Sequence, residues 1–231
     1  MKIKVFFLVF SVIVTVFIVG CEQGNGEVVS KEIKASNFTS INANGSANVN
    51  IHFSEEYKVI VTTDSNIQDK IEIETSGNTL YIEKSQDNYN PTKLIIDVYM
   101  PDLKAVTLNG SGKIKIDSGN TLDFDITLSG SGNINSQNYE AQSVNMNLSG
   151  SGSIKLKAMS TLNANISGSG NINAQNFEIQ NANVIISGSG NIRLWVTDSL
   201  KGKISGSGSI FHKGNSSINV NITGSGRVKP L

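Results

Sequence analysis

The chain has 231 residues, a formal net charge of zero and only 16% charged side chains, so Ser, Asn, Gly and Thr carry its polarity. Balanced charge without a basic cluster or a nucleic-acid motif argues against DNA or RNA as a partner. A lone cysteine leaves no internal disulfide and no cysteine-built zinc site.

Residues 1 to 20 read as targeting. Lys2 and Lys4 precede an apolar stretch from Val5 to Val19, interrupted by Ser11 and Thr15. At about 1.5 Å per residue that stretch falls short of a hydrocarbon core of about 30 Å, the proportions of a signal peptide. It ends Ile18-Val19-Gly20-Cys21, which resembles a bacterial lipobox with Ile18 and Val19 in place of the usual Leu and small residue. The resemblance implies cleavage before Cys21, diacylglycerol on its sulfur and acylation of the new amine. Several acyl chains anchor stably, each buried methylene contributing about 0.8 kcal/mol. The expectation is a protein lipid-anchored at the outer membrane, facing periplasm or surface. Residues 21–30 read as a flexible tether and 31–231 as one domain. Processing would also take away Lys2 and Lys4, leaving 17 minus 19, or −2.

Residues 31–107 alternate as short strands with turns and read as the capping part of that domain. Within them Ile41 to Ile51, centred on Gly45-Ser46-Ala47, is a degenerate copy of the repeat that fills the rest of the chain. From residue 108 to 231 the phrase Gly-Ser-Gly recurs, starting at Gly110, Gly130, Gly150, Gly168, Gly188, Gly206 and Gly224. The steps are 20, 20, 18, 20, 18 and 18 residues. Around each phrase residues alternate: Phe124, Ile126, Leu128, Gly130, Gly132 and Ile134 share one face, and Asp123, Asp125, Thr127, Ser129, Ser131 and Asn133 the other. That period of two belongs to strands with one buried face. Paired inward glycines mark a bend or a close backbone approach, so each phrase is expected to turn a corner.

A fixed period near 20 without helical patterning predicts an all-β, parallel β-helix-like solenoid whose coils lie about 4.8 Å apart. Like residues then stack, with Ile134, Ile154, Ile172, Ile192, Ile210 and Val228 inside. An antiparallel meander or sandwich is the competing architecture. Even steps preserve the parity that a one-residue slip would destroy. Arg227, Lys229 and Pro230 are placed to blunt the last edge.

Catalytic chemistry finds little support. His52 and His212 stand far apart and read as surface polar residues, and Asp123 with Asp125 as a solvated face. The repeats carry no Asp at calcium-binding positions and no phosphate-loop spacing, so neither metal nor cofactor is expected. Three residues past each phrase stand Lys115, Asn135, Lys155, Asn173, Arg193, Phe211 and Lys229; two further stand Asp117, Gln137, Lys157, Gln175, Trp195 and Lys213. The expected ligand stripe is Lys115, Lys155, Arg193, Trp195, Phe211 and Lys213. Together the two sets of positions are mildly basic, rich in amides and nearly free of acid, which suits holding an anionic glycan or lipopolysaccharide better than cleaving one.

The phrases Ser129-Gly130-Ser131-Gly132-Asn133-Ile134-Asn135 and Ser167-Gly168-Ser169-Gly170-Asn171-Ile172-Asn173 resemble the auto-transporter adhesin, head GIN domain family. So do Phe38-Thr39-Ser40-Ile41 and the run from Pro101 through Leu103 and Val106 to Gly110-Ser111-Gly112. The resemblance implies an exported bacterial protein, often a lipoprotein, with a β-helical fold, an adhesin role and no catalytic residues. The expected function is a non-enzymatic envelope binding or adhesion module whose partners are the membrane and envelope or host glycans or proteins. The alternatives are a structural scaffold without a small ligand and a carbohydrate-active enzyme. Nothing in the sequence fixes an oligomeric state.

Overall fold

A computed structural model describes residues 21–84 and 89–231; the segment read as a signal peptide lies outside the described residues. The first strands are β1 (Glu22–Gln23), β2 (Val28–Ile33), β3 (Ser40–Gly45), β4 (Asn48–Phe53), β5 (Lys58–Asp64), β6 (Ile71–Ser76), β7 (Thr79–Lys84), β8 (Tyr89–Asn90) and β9 (Leu94–Met100). The repeats supply β10 (Ala105–Gly110), β11 (Lys113–Ile116), β12 (Gly119–Gly130), β13 (Asn133–Gly150), β14 (Ser153–Gly168), β15 (Asn171–Gly188), β16 (Asn191–Gly206), β17 (Ser209–Lys213), β18 (Ser217–Gly224) and β19 (Arg227–Pro230). Among the described residues the helical content is one 3-10 turn, Gln68–Lys70, and no helix is long and apolar enough to cross a membrane.

From β10 onward every pairing is parallel and joins one coil to the next. The solenoid is therefore observed, and the meander is not. The inward column runs in register from Ile114 through Ile134, Ile154, Ile172, Ile192 and Ile210 to Val228. Ile134 to Ile210 are each at most 1% exposed. Burying one such side chain stabilises by about 1.5–3 kcal/mol, so each column is a repeated increment of the same packing energy.

The corner geometry explains both glycines of the phrase. The first has positive φ in every copy, from +116° at Gly224 to +139° at Gly110. A Cβ on Gly130 would lie 2.4 Å from the Gly110 carbonyl oxygen. A Cβ on the second, Gly132, would meet the Gly112 carbonyl oxygen and Leu108 Cδ2, both at 2.7 Å. The freed space brings backbones together: the Ser131 and Gly132 N–H groups donate to the Gly110 carbonyl at 3.1 and 3.0 Å. The Gly45, Gly130 and Gly188 carbonyls likewise each satisfy two donors of the next coil.

The N-terminal part is less separate than its sequence suggests. Strand β10 lies between β12 and β3, and β11 between β13 and β4, all parallel. Gly45-Ser46-Ala47 is thus a stacked corner, its Gly45 carbonyl taking the N–H groups of Ser111 and Gly112. Below it β7 and β9 continue the two faces in parallel, and antiparallel β6 and β5 close them. The expected tether is tied down. Glu22–Gln23 pairs with Tyr89–Asn90, and β2 adds antiparallel to β5 from Val28.

Candidate functional site

Coil length decides what the lateral face can carry. Pairing between β13 of a 20-residue coil and β14 of an 18-residue coil jumps from Ser136/Leu156 to Glu140/Lys157, leaving Gln137, Asn138 and Tyr139 outside that register. Strands β15 and β16 repeat this from Ala174/Leu194 to Glu178/Trp195, leaving Gln175, Asn176 and Phe177 out. At both places an Asn turns the chain into the bulge: Asn135 Oδ1 accepts the Gln137 N–H and Asn173 Oδ1 the Gln175 N–H, each at 3.3 Å. This is the side-chain-to-backbone bond that makes Asn a turn former. The 18-residue coils lack that three-residue excess, and the same position is Lys155, Arg193 or Phe211.

The first column of the expected stripe is one straight ladder. Lys115 pairs with Asn135, Asn135 with Lys155, Lys155 with Asn173, Asn173 with Arg193, Arg193 with Phe211 and Phe211 with Lys229. Cations stand on every second coil, about 9.6 Å apart at 4.8 Å per coil, with amides or Phe211 between. The second column does not form as spaced in sequence. Lys157 lies beside Glu140 instead of Gln137 and forms an ion pair with it, while Trp195 lies beside Glu178 instead of Gln175. The bulges cause both departures.

Arg193, Trp195, Phe211 and Lys213 do come together as a block on two coils. The Arg193 guanidinium carbon is 5.0 Å from the Phe211 ring centroid, and Lys213 Nζ 4.0 Å from that of Trp195. Lys157 Nζ sits 4.8 Å from the Phe177 ring. Such pairs hold a cation over a ring while leaving much of its charge to solvent. Trp195, Arg193 and Phe211 are half-buried and Lys213 is exposed, so the block presents flat rings flanked by positive charge.

The two histidines are not the plain surface residues their isolation suggested. His52 Nδ1 lies 2.8 Å from Asp117 Oδ2 and Nε2 3.3 Å from Asp97 Oδ1, with the ring stacked 4.8 Å from Tyr99. Asn50 Nδ2 donates to the same Asp97 oxygen at 2.8 Å. This knot closes the N-terminal end of the stripe, and sequence missed it because β9 meets β4 only through the return of the chain beneath the first coil. His212 points inward, paired with Leu194 and Pro230, on the last turns of the stack. Asp123 and Asp125 are exposed on β12, and Asp125 accepts the Asn145 side-chain amide at 3.0 Å. Cys21 is exposed next to β1. Among the described residues no group of three potential ligands could hold a metal ion.

A tight cleft lined by Asn44, Ile82 and Ile96 among others measures about 20 Å³, about what one water needs. Open shallow grooves run instead beside the bulges, one between Gln137, Glu140, Lys157 and Phe177. The arrangement can hold an extended ligand along the coils; it encloses none.

Residues 37–216 match the family described as "Putative auto-transporter adhesin, head GIN domain". A crystal structure of a putative adhesin from Bacteroides fragilis superposes with a TM-score of 0.82 at 25% identity, covering 90% of this chain and 99% of that one. One named as a putative lipid binding protein from Parabacteroides distasonis gives 0.76 at 28%, covering 92% and 100%. A putative adhesin from Parabacteroides merdae shares the fold at 0.77 and 24%, covering 90% and 98%. No curated protein matches the chain.

Proposed function

This chain belongs to the auto-transporter adhesin, head GIN domain family, and from that premise we propose that it is a non-enzymatic, cell-envelope binding module anchored through acylated Cys21. The ligand class that best fits its lateral stripe is an anionic glycan or lipopolysaccharide. The observation that carries this reading is the ladder Lys115, Lys155, Arg193 and Lys229, with one cation on every second coil. A rigid row of evenly spaced charges complements a polymer that repeats its own negative charge, and Trp195 with Phe211 offers ring faces to sugars. The names of the structural neighbours, adhesins and one lipid binding protein, support the same class of partner. The shallow grooves support holding over turnover.

The direct test is binding of the purified chain to an array of acidic and neutral glycans. The double variant Arg193→Ala with Trp195→Ala is expected to lose about tenfold or more for the acidic ligands, the size of one lost cation contact plus one lost stacking contact. Unchanged binding to a ligand confirmed for the wild type removes the stripe from the account. On cells, the adhesin version predicts that external protease degrades the protein on intact bacteria and that Cys21→Ser releases it from the membrane fraction. Protection on intact cells places it in the periplasm as a scaffold instead.

A further inference from the structure

The two ends of the stack are finished differently. At the N-terminal end antiparallel strands close both faces, β6 against β7 and β5 against β9. At the C-terminal end, among the described residues, β18 pairs with β16 alone and β19 with β17 alone. The two C-terminal edges also differ. Strand β19 is four residues long, carries Arg227 and Lys229 and ends in Pro230, so it is blunted as its sequence suggested. Strand β18 is eight residues, Ser-Ile-Asn-Val-Asn-Ile-Thr-Gly, with neither charge nor proline. Its inward Ile218 and Ile222 are 47% and 40% exposed, whereas Leu200 and Ile204 beneath them are 0%. A long, β-branched edge strand with one row of backbone groups unpaired is a template for strand addition.

The surrounding charge selects the occupant. Exposed Lys201 and Lys203 lie beside Asn219 and Asn221 in the outward columns. From residue 191 onward the chain has six cationic side chains and one carboxylate side chain, Asp198. We propose that β18 is a strand-addition site for an extended segment of another protein in which apolar and acidic residues alternate. The apolar residues cover Ile218, Val220 and Ile222, and the acidic ones fall outward beside Asn219 and Asn221, about 9.6 Å from the strand that carries the two lysines and within reach of their long side chains. Strand β6, with Ile71-Glu72-Ile73-Glu74, shows the same pattern at the opposite end, where it covers β7. A second copy placed tail to tail would bring like charges together, which opposes that pairing.

The test uses the full chain in detergent micelles and a blocked eight-residue peptide alternating Ile with Glu. Comparison peptides alternate Ile with Lys or hold the Ile and Glu residues in separate blocks. Hydrogen exchange over 217–224 and a binding titration are read together. The alternating Ile/Glu peptide should slow exchange across β18 and bind about tenfold or more tighter than the Ile/Lys peptide. Lys201→Glu with Lys203→Glu, both exposed and tolerable to the fold, should reverse that preference. Ile218→Thr should weaken both peptides while leaving the melting temperature near that of the wild type. Equal binding of the block peptide, or no protection of β18 at saturation, overturns the proposal. So does protection of 217–224 that rises with protein concentration alone, which would name a second copy, or that phosphatidylglycerol vesicles produce, which would name a membrane surface.

Discussion

Gly150 shows how much one residue type decides. Its φ is +118°, and a Cβ there would lie 2.4 Å from the Gly130 carbonyl oxygen. Gly150→Ala therefore combines a disfavoured backbone region with a contact that only a shift of the neighbouring coil can relieve. The expected loss is about 2–4 kcal/mol in chemical denaturation, against less than about 0.5 kcal/mol for Ser151→Ala at the exposed apex. The glycine pair was legible in sequence as a corner, because parity put both glycines inward. The partner of each corner, the carbonyl of the preceding coil, is visible only once the coils are stacked. His52 marks the limit of reading residue by residue. Its carboxylate neighbours Asp97 and Asp117 are 45 and 65 positions away, beyond any local spacing rule.

At the scale of the element, the repeats were readable and their irregularities were not. Strict alternation predicted the inward columns from Ile134 to Ile210. The three-residue bulges were hidden because a one-residue offset of opposite sense follows each, after Ala141 and after Ile179. The coils so differ by two residues, and parity survives while Lys157 moves from Gln137 to Glu140. The segment before β2 misled for a different reason. Its Gly and Asn content suits a tether, yet the cap binds it through Asp64. Buried Asp64 accepts the Thr92 hydroxyl at 2.7 Å, the Thr92 N–H at 2.7 Å and the Gly26 N–H at 2.8 Å. The Thr92 hydroxyl, against the opposing effect of burial and aided by the amides of Gly26, Thr92 and Lys93, holds this carboxyl below its ordinary 3.8. A depressed carboxylate contributes stability above its unfolded value and loses it as pH falls through the folded one. Hydrogen-exchange protection of residues 22–28 is thus expected to collapse as pH drops below 3.8, ahead of the coils, and Asp64→Asn to lower it already at neutral pH. Protection that stays level through that range in the wild type would contradict the role given to Asp64.

The whole molecule is a stack whose side carries evenly spaced charge and whose ends are unequal. Six steps of coil separate Gly110 from Gly224, with the Gly45 coil inserted beneath them, so a ligand on the side meets one rigid ruler. That ruler exists only if successive coils lie parallel and in register. Cross-linking tests this most directly. In a Cys21→Ser background, Asn147→Cys with Asn165→Cys places thiols on outward residues that pair directly and whose amides hydrogen-bond at 3.0 Å. In-register neighbours at about 4.8 Å lie within disulfide reach. Asn147→Cys with Lys203→Cys shares the same column three coils apart, about 14 Å at that spacing. Mild oxidation is predicted to bridge the first pair fully within the monomer and leave the second as free thiols. Free thiols in the first pair, or equal bridging in both, would contradict the stacked register on which the stripe depends.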